Sequence, residues 1–306
     1  MEVIRTILPV VLMLGIGMLC RRRNLISREG VNALKGVVVN IALPAVLLNA
    51  FATTRYTLMD VAVPLMMFGV CLAAWALGKA AARLFKMPSR FVPFLTTGFE
   101  AGMLGYALFN MLYGSARTAE FARIDLGQVL FVFTLYKVLL GLSGRERADF
   151  GALVKEMALS PIILAIAAGV LLGATGLYRA MEPSGLAGVF DACTSFISAP
   201  TSAIILLTIG YDLVLADIPW GQTLKVAAVR LAIMLALRFA FLAAVKALWP
   251  EAELTQAVNV MFILPPPFVL PVFADDADQR VYVSSALSVS TLIAIVGFGA
   301  LALTGW

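Results

Sequence analysis

The sequence contains no histidine. That removes the usual general base, the commonest metal ligand and the side chain that titrates near neutral pH, so proton chemistry falls to carboxylates, lysine or tyrosine. Cysteine is scarce. Cys20, Cys71 and Cys193 stand alone in apolar stretches, odd in number and without a Cys-x-x-Cys spacing, which excludes a disulfide framework and a metal or redox pair. Charge is scarce too: 13% of the 306 residues are charged, against about 25% in an ordinary soluble domain. No glycine-rich phosphate loop occurs. Gly78-Lys79 is followed by alanines, which argues against ATP-driven work within the chain. No cofactor, metal or nucleic-acid partner is implied, and no enzymatic activity is expected.

Apolar residues are what the chain has in excess: 61% are hydrophobic and the mean hydropathy is +0.96. No water-soluble core hides that much apolar surface, and the lipid bilayer is the expected solvent. Runs broken by charge, Gly and Pro predict ten spanning helices over 4–20, 32–52, 60–84, 92–113, 125–142, 157–177, 187–211, 222–247, 254–273 and 282–304. The first is expected to be a retained span, since Arg5 precedes it and no small-residue cleavage site follows. Basic residues crowd the odd-numbered connections: Arg21, Arg22, Arg23, Arg28 and Lys35, then Arg83, Lys86 and Arg90, then Arg145, Arg147 and Lys155. These loops should face the cytoplasm of a bacterial inner membrane, with both termini outside. Toward the C-terminus the bias fades, where Lys225 faces Asp212 and Asp217, and Arg280 faces Asp275, Asp276 and Asp278.

A weak internal repeat divides the chain. The stretch from Pro9, followed by Ile41-Ala42-Leu43-Pro44, resembles the stretch from Pro161, followed by Ile197-Ser198-Ala199-Pro200; the proline pairs are offset by 152 and 156 residues. Five helices per unit is odd, so the second copy enters the membrane from the opposite side. The expected fold is all-α, with two inverted five-helix repeats over 1–148 and 149–306, the plan of many secondary transporters.

Two helices at matching places in that repeat are interrupted. The fourth runs Gly98-Phe99-Glu100-Ala101-Gly102-Met103-Leu104-Gly105-Tyr106, and the ninth contains Pro265-Pro266-Pro267-Phe268. Successive prolines lack amide donors and disfavour α conformation before each, so the ninth helix must break. Broken backbone at membrane depth is tolerated only inside protein or along a wet cavity, where half-helix N-termini favour an anion. The expected substrate-binding residues are therefore Glu100, Ala101, Gly102, Met103, Tyr106, Pro265, Pro266, Pro267 and Phe268. The competing reading is a glycine packing seam at Gly98-x-x-x-Gly102 with a static kink at the prolines.

Glu100 is the one acid this reading places near the centre of a span. It either binds a coupling proton and sets charge preference, or forms a structural ion pair. Arg230 and Arg238 lie within the eighth helix, eight residues apart on one face. Arg238, expected to be the deeper, either pairs with Glu100 or receives a substrate carboxylate. Lys137 is expected to snorkel to the interface, Asp191 and Asp212 to bound the seventh helix, and Asn40, Asn49 and Asn259 to join helices.

The chain resembles the auxin efflux carrier family, which includes plant PIN-type carriers and bacterial malate or malonate permeases. The resemblance rests on Asn40-Ile41-Ala42-Leu43-Pro44-Ala45, on Gly102-Met103-Leu104-Gly105, on the Ser160–Gly169 stretch, and on the serine-rich run from Ser284 to Thr291. It implies a scaffold and homodimer interface of the first, second, sixth and seventh helices. It also implies a mobile transport domain of the third to fifth and eighth to tenth, whose fourth and ninth helices cross at their breaks in an elevator mechanism. The chain departs from the family where Glu100 replaces a usual Asn, where Ala107 replaces a usual Pro, and where the proline crossover lacks its Asn. The expected function is secondary transport of a small organic anion, such as a carboxylate or auxin-like acid, with proton coupling through Glu100; the alternative is a channel or membrane sensor on the same scaffold.

Overall fold

The computed structural model describes residues 2–143, 151, 155, 158–213, 218–274 and 276–304, with side chains from residue 7 onward except at 142 and 272. Arg145, Arg147, Asp217, Asp275 and the repeat boundary at 148/149 lie outside these residues, as does the side chain of Arg5. In chain order the helices are α1 (Glu2–Arg22), α2 (Arg28–Ala52), α3 (Met59–Leu84), the single turn α4 (Val92–Leu95), α5 (101–113), α6 (Ser115–Gly141), α7 (Pro161–Ala174), the turn α8 (Leu177–Ala180), α9 (Leu186–Asp212), α10 (Trp220–Leu248), α11 (Thr255–Ile263) and α12 (Ala277–Thr304). No strand occurs among the described residues. Six of these helices, α2, α3, α6, α9, α10 and α12, are long and apolar enough to cross a membrane. At 14 residues, α7 rises only about 21 Å, short of a hydrocarbon core of about 30 Å.

Local chemistry sets the helix ends. The Ser27 hydroxyl caps α2 by accepting the Gly30 amide at 3.0 Å, and the Ser160 hydroxyl caps α7 by accepting Ile163 N–H at 3.3 Å. Pro161 then occupies the first turn, where a missing amide costs nothing. That Ser-Pro pair fixes the start of α7 at Pro161; residue 157, the expected start, lies outside the described residues.

The chain forms two compact units, each drawing on both halves of the sequence: Met1–Asp60, Gly102–Ala122 and Lys155–Leu213 in the first, and Val61–Ala101, Arg123–Val154 and Val214–Trp306 in the second. Inside a bilayer the lipid is as apolar as leucine, so helices associate through close packing of small residues. In the first unit α7 presses Gly169 and Gly173 onto the α2 backbone. A Cβ at Gly169 would stand 2.8 Å from the Leu48 carbonyl oxygen, and one at Gly173 2.7 Å from that of Phe51. The core of the second unit is rich in buried aromatics: Tyr136 lies edge-on to Phe94 at 5.4 Å, and the buried Phe131 meets the half-buried Phe68 edge-on at 5.7 Å.

Candidate functional site

Both interrupted segments end as helices before the second unit brings them together. After α4 the chain leaves helical geometry at 96–100, with Gly98 at φ +67°. A Cβ on Gly98 would lie 2.9 Å from Pro267 Cγ, so the residue is required both for its left-handed backbone and for its closeness to the proline triplet. After α11, Leu264 turns extended, Pro265, Pro266 and Pro267 follow, and only a 3-10 turn, Leu270–Phe273, succeeds them.

Glu100 joins the two breaks. Its amide donates to the Pro265 carbonyl at 2.9 Å, and its carboxylate Oε2 accepts the Phe268 amide at 2.6 Å. The prolines have no N–H, so Phe268 offers the first backbone donor after the triplet, and a backbone donor at membrane depth must find an acceptor. Next to it, the Phe99 amide donates to Gln128 Oε1 at 3.4 Å, while Gln128 Nε2 donates to Asp125 Oδ1 at 3.1 Å. The Phe99 ring packs on Phe262 with centroids 5.3 Å apart, so side chains as well as backbones connect the segments.

Arg230 of α10 enters from a third element. Its Nη1 donates to the Leu95 carbonyl at 3.1 Å, and its Nη2 donates to the carbonyls of Gly98 at 2.8 Å and Leu264 at 2.9 Å. The guanidinium lies 5.7 Å from the Phe99 ring centroid. The residue is 5% exposed. This corrects the expectation that Arg238 is the deep arginine: Arg238 is half-buried and donates through Nε and Nη2 to Asn259 Oδ1, at 2.9 and 2.5 Å. Asn259 thus joins α11 to α10, as its joining role foresaw, and its buried Nδ2 has no acceptor among the described residues.

Of the residues singled out from the sequence, the structure collects Glu100, Ala101, Pro265, Pro266, Pro267 and Phe268 in the second unit, with the prolines and Ala101 buried and Glu100 and Phe268 half-buried. Gly102, Met103 and Tyr106 fall in the first unit. There Tyr106 is buried edge-on to Phe121 at 4.9 Å, and a Cβ on Gly102 would sit 3.2 Å from a Leu43 methyl. Sequence reasoning missed Asp125 and Gln128. Asp125 stands at the expected start of the fifth span, 125–142, yet α6 already begins at Ser115, so Asp125 lies well inside it and is 2% exposed. Its spacing of three residues from Gln128, one helical turn, was the available signal.

The first unit holds a polar cavity of its own, about 420 Å³, lined in part by Asn49, Asn110, Thr118, Asp191 and Ser195. Asn49 Nδ2 donates to Asp191 Oδ1 at 2.8 Å and to Thr194 Oγ1 at 3.0 Å, and the Tyr178 hydroxyl donates to Asp191 Oδ2 at 2.8 Å. Burial, reinforced by this bond to Asp191 and the carboxylate charge, pushes the Tyr178 phenol up to about 12.

Residues 2–153 match the family described as membrane transport protein. No curated protein matches the chain.

Proposed function

Because the chain belongs to the membrane transport protein family of the auxin efflux carriers, we propose that this multi-pass membrane protein is a secondary active transporter of a small organic anion. The observation that carries the reading is the double backbone link at Glu100, which holds two interrupted segments against each other inside one compact unit. Interrupted segments at matching places in a repeat are the best pointer to a transport site. α5 begins at Ala101, so its positive end adjoins the break.

An ionised Glu100 competes with an anionic solute for the Phe268 amide. A proton on Glu100 weakens that carboxylate as an acceptor and leaves the donor for the solute, which links anion binding to proton uptake. The proposed site residues are those the second unit gathers, Glu100, Ala101, Pro265, Pro266, Pro267 and Phe268. Arg238 takes a secondary place, because Asn259 already engages its guanidinium. In the wider reading ten helices span a bacterial inner membrane with both termini outside. A mobile transport domain of the third to fifth and eighth to tenth expected helices carries the solute by an elevator motion, and two copies associate through α1, α2, α7 and α9.

Uptake into proteoliposomes with a panel of mono- and dicarboxylates tests the proposal. Saturable flux that supports counterflow is the expected result. Flux far above carrier turnover would mark a channel instead, and ligand-induced thermal stabilisation across a metabolite library would identify the solute.

A further inference from the structure

The arginine of the second unit raises a question that solute binding does not answer. The last carbonyls of a helix have no partner in their own helix, and at membrane depth water is not there to satisfy them. At the two breaks the carbonyls of Leu95, which ends α4, of Gly98 in the unwound stretch after it, and of Leu264, just past α11, all accept hydrogen bonds from one guanidinium. Unwound carbonyls and half-helix C-terminal ends are, in transporters with broken helices, where a coupling cation is held.

We propose that Arg230 is a covalently tethered cation that fills the carbonyl cage shared by the two breaks, in place of a free monovalent ion, and so latches the segments to α10. The chemistry fits the position. A guanidinium is planar, permanently charged and carries donors in a fixed fork, and Arg230 uses that fork to reach carbonyls on segments that are more than 160 residues apart in sequence. The Phe99 ring on its face adds a cation–π contact and keeps the cage dry. A free ion binds and leaves; a tethered one stays through every cycle, so no cation need accompany the solute at this cage.

The test uses the full chain, in detergent for melting and in proteoliposomes for flux, with variants at this one position. Arg230→Lys keeps the charge with fewer donors, Arg230→Met keeps the bulk without charge, and Arg230→Ala empties the cage. Wild-type melting and flux should be indifferent to exchange of choline for sodium or potassium. Arg230→Ala should melt lower and recover with millimolar guanidinium chloride, and not with urea, its neutral near-isostere. Arg230→Lys should keep flux within about tenfold of wild type while Arg230→Met falls below that. The proposal is overturned if Met matches Lys in melting and flux, if urea restores the Ala variant as well as guanidinium does, or if wild-type flux requires sodium or potassium. Should Arg230→Ala not fold, the Lys and Met pair decides. The flux arm rests on the carrier reading above; if wild type moves no anion in the panel, that reading fails, and the melting arm still decides the role of Arg230.

Discussion

Glu100 does two jobs with one residue, its amide binding the Pro265 carbonyl and its carboxylate accepting the Phe268 amide. Glu100→Gln keeps an acceptor of the same reach, so it should melt like wild type, while its anion flux loses its dependence on pH between about 5 and 8. A variant that keeps the wild-type pH profile would end the coupling proposal. Glu100→Leu takes this acceptor from the half-buried Phe268 amide, and the loss should amount to about 1 kcal/mol, read as a lower midpoint in thermal or denaturant unfolding. Gly98→Ala adds a methyl group at φ +67° and 2.9 Å from Pro267 Cγ. The left-handed backbone alone costs about 1–2 kcal/mol, so this variant should also melt lower, and an unchanged midpoint would contradict the geometry of the break.

At the scale of elements, close backbone contact and a few polar bonds do the joining. Gly173→Val drives two carbon branches into the α2 backbone at Phe51, and should destabilise by about 1–3 kcal/mol or more. The substitution at Gly188, which has open space around it, serves as the control and should leave melting unchanged. The bond from the Tyr178 hydroxyl to Asp191 has its own pH signature. A phenol whose pKa rises on folding contributes stability that is fully present below its unfolded pKa of about 10 and is lost as pH climbs through about 12. Alkaline unfolding of Tyr178→Phe should therefore show a smaller loss of stability across that window than wild type does.

For the whole molecule, the proposed orientation rests on the arginines after α1. In a background with Cys20, Cys71 and Cys193 replaced, a cysteine at Arg22 should react with a membrane-impermeant thiol reagent only from the cytoplasmic side, and one at Ser184 only from outside. The opposite pattern would invert the proposed topology. Much of the architecture was legible beforehand. The apolar runs anticipated α1 to α3, α9, α10 and α12 to within a few residues, and the triple proline announced the end of α11. The pairings were not. Glu100 and Phe268 stand 168 residues apart, and nothing in either local stretch names the other. Arg230 and Arg238 share one helix and one residue type, and only the position of free carbonyls decides which of them is buried.

Hydropathy and backbone chemistry act within a span of about 20 residues, which is why composition alone determined a helical, membrane-embedded chain, and the proline triplet alone determined that α11 stops before it. Which orphaned carbonyl meets which donor depends on segments from opposite ends of the chain arriving at one place. That choice, the bonding of Glu100 across the proline triplet and of Arg230 to both breaks, was made only by the tertiary structure, because an unpaired polar group in a medium without water must be satisfied by whatever the fold brings near.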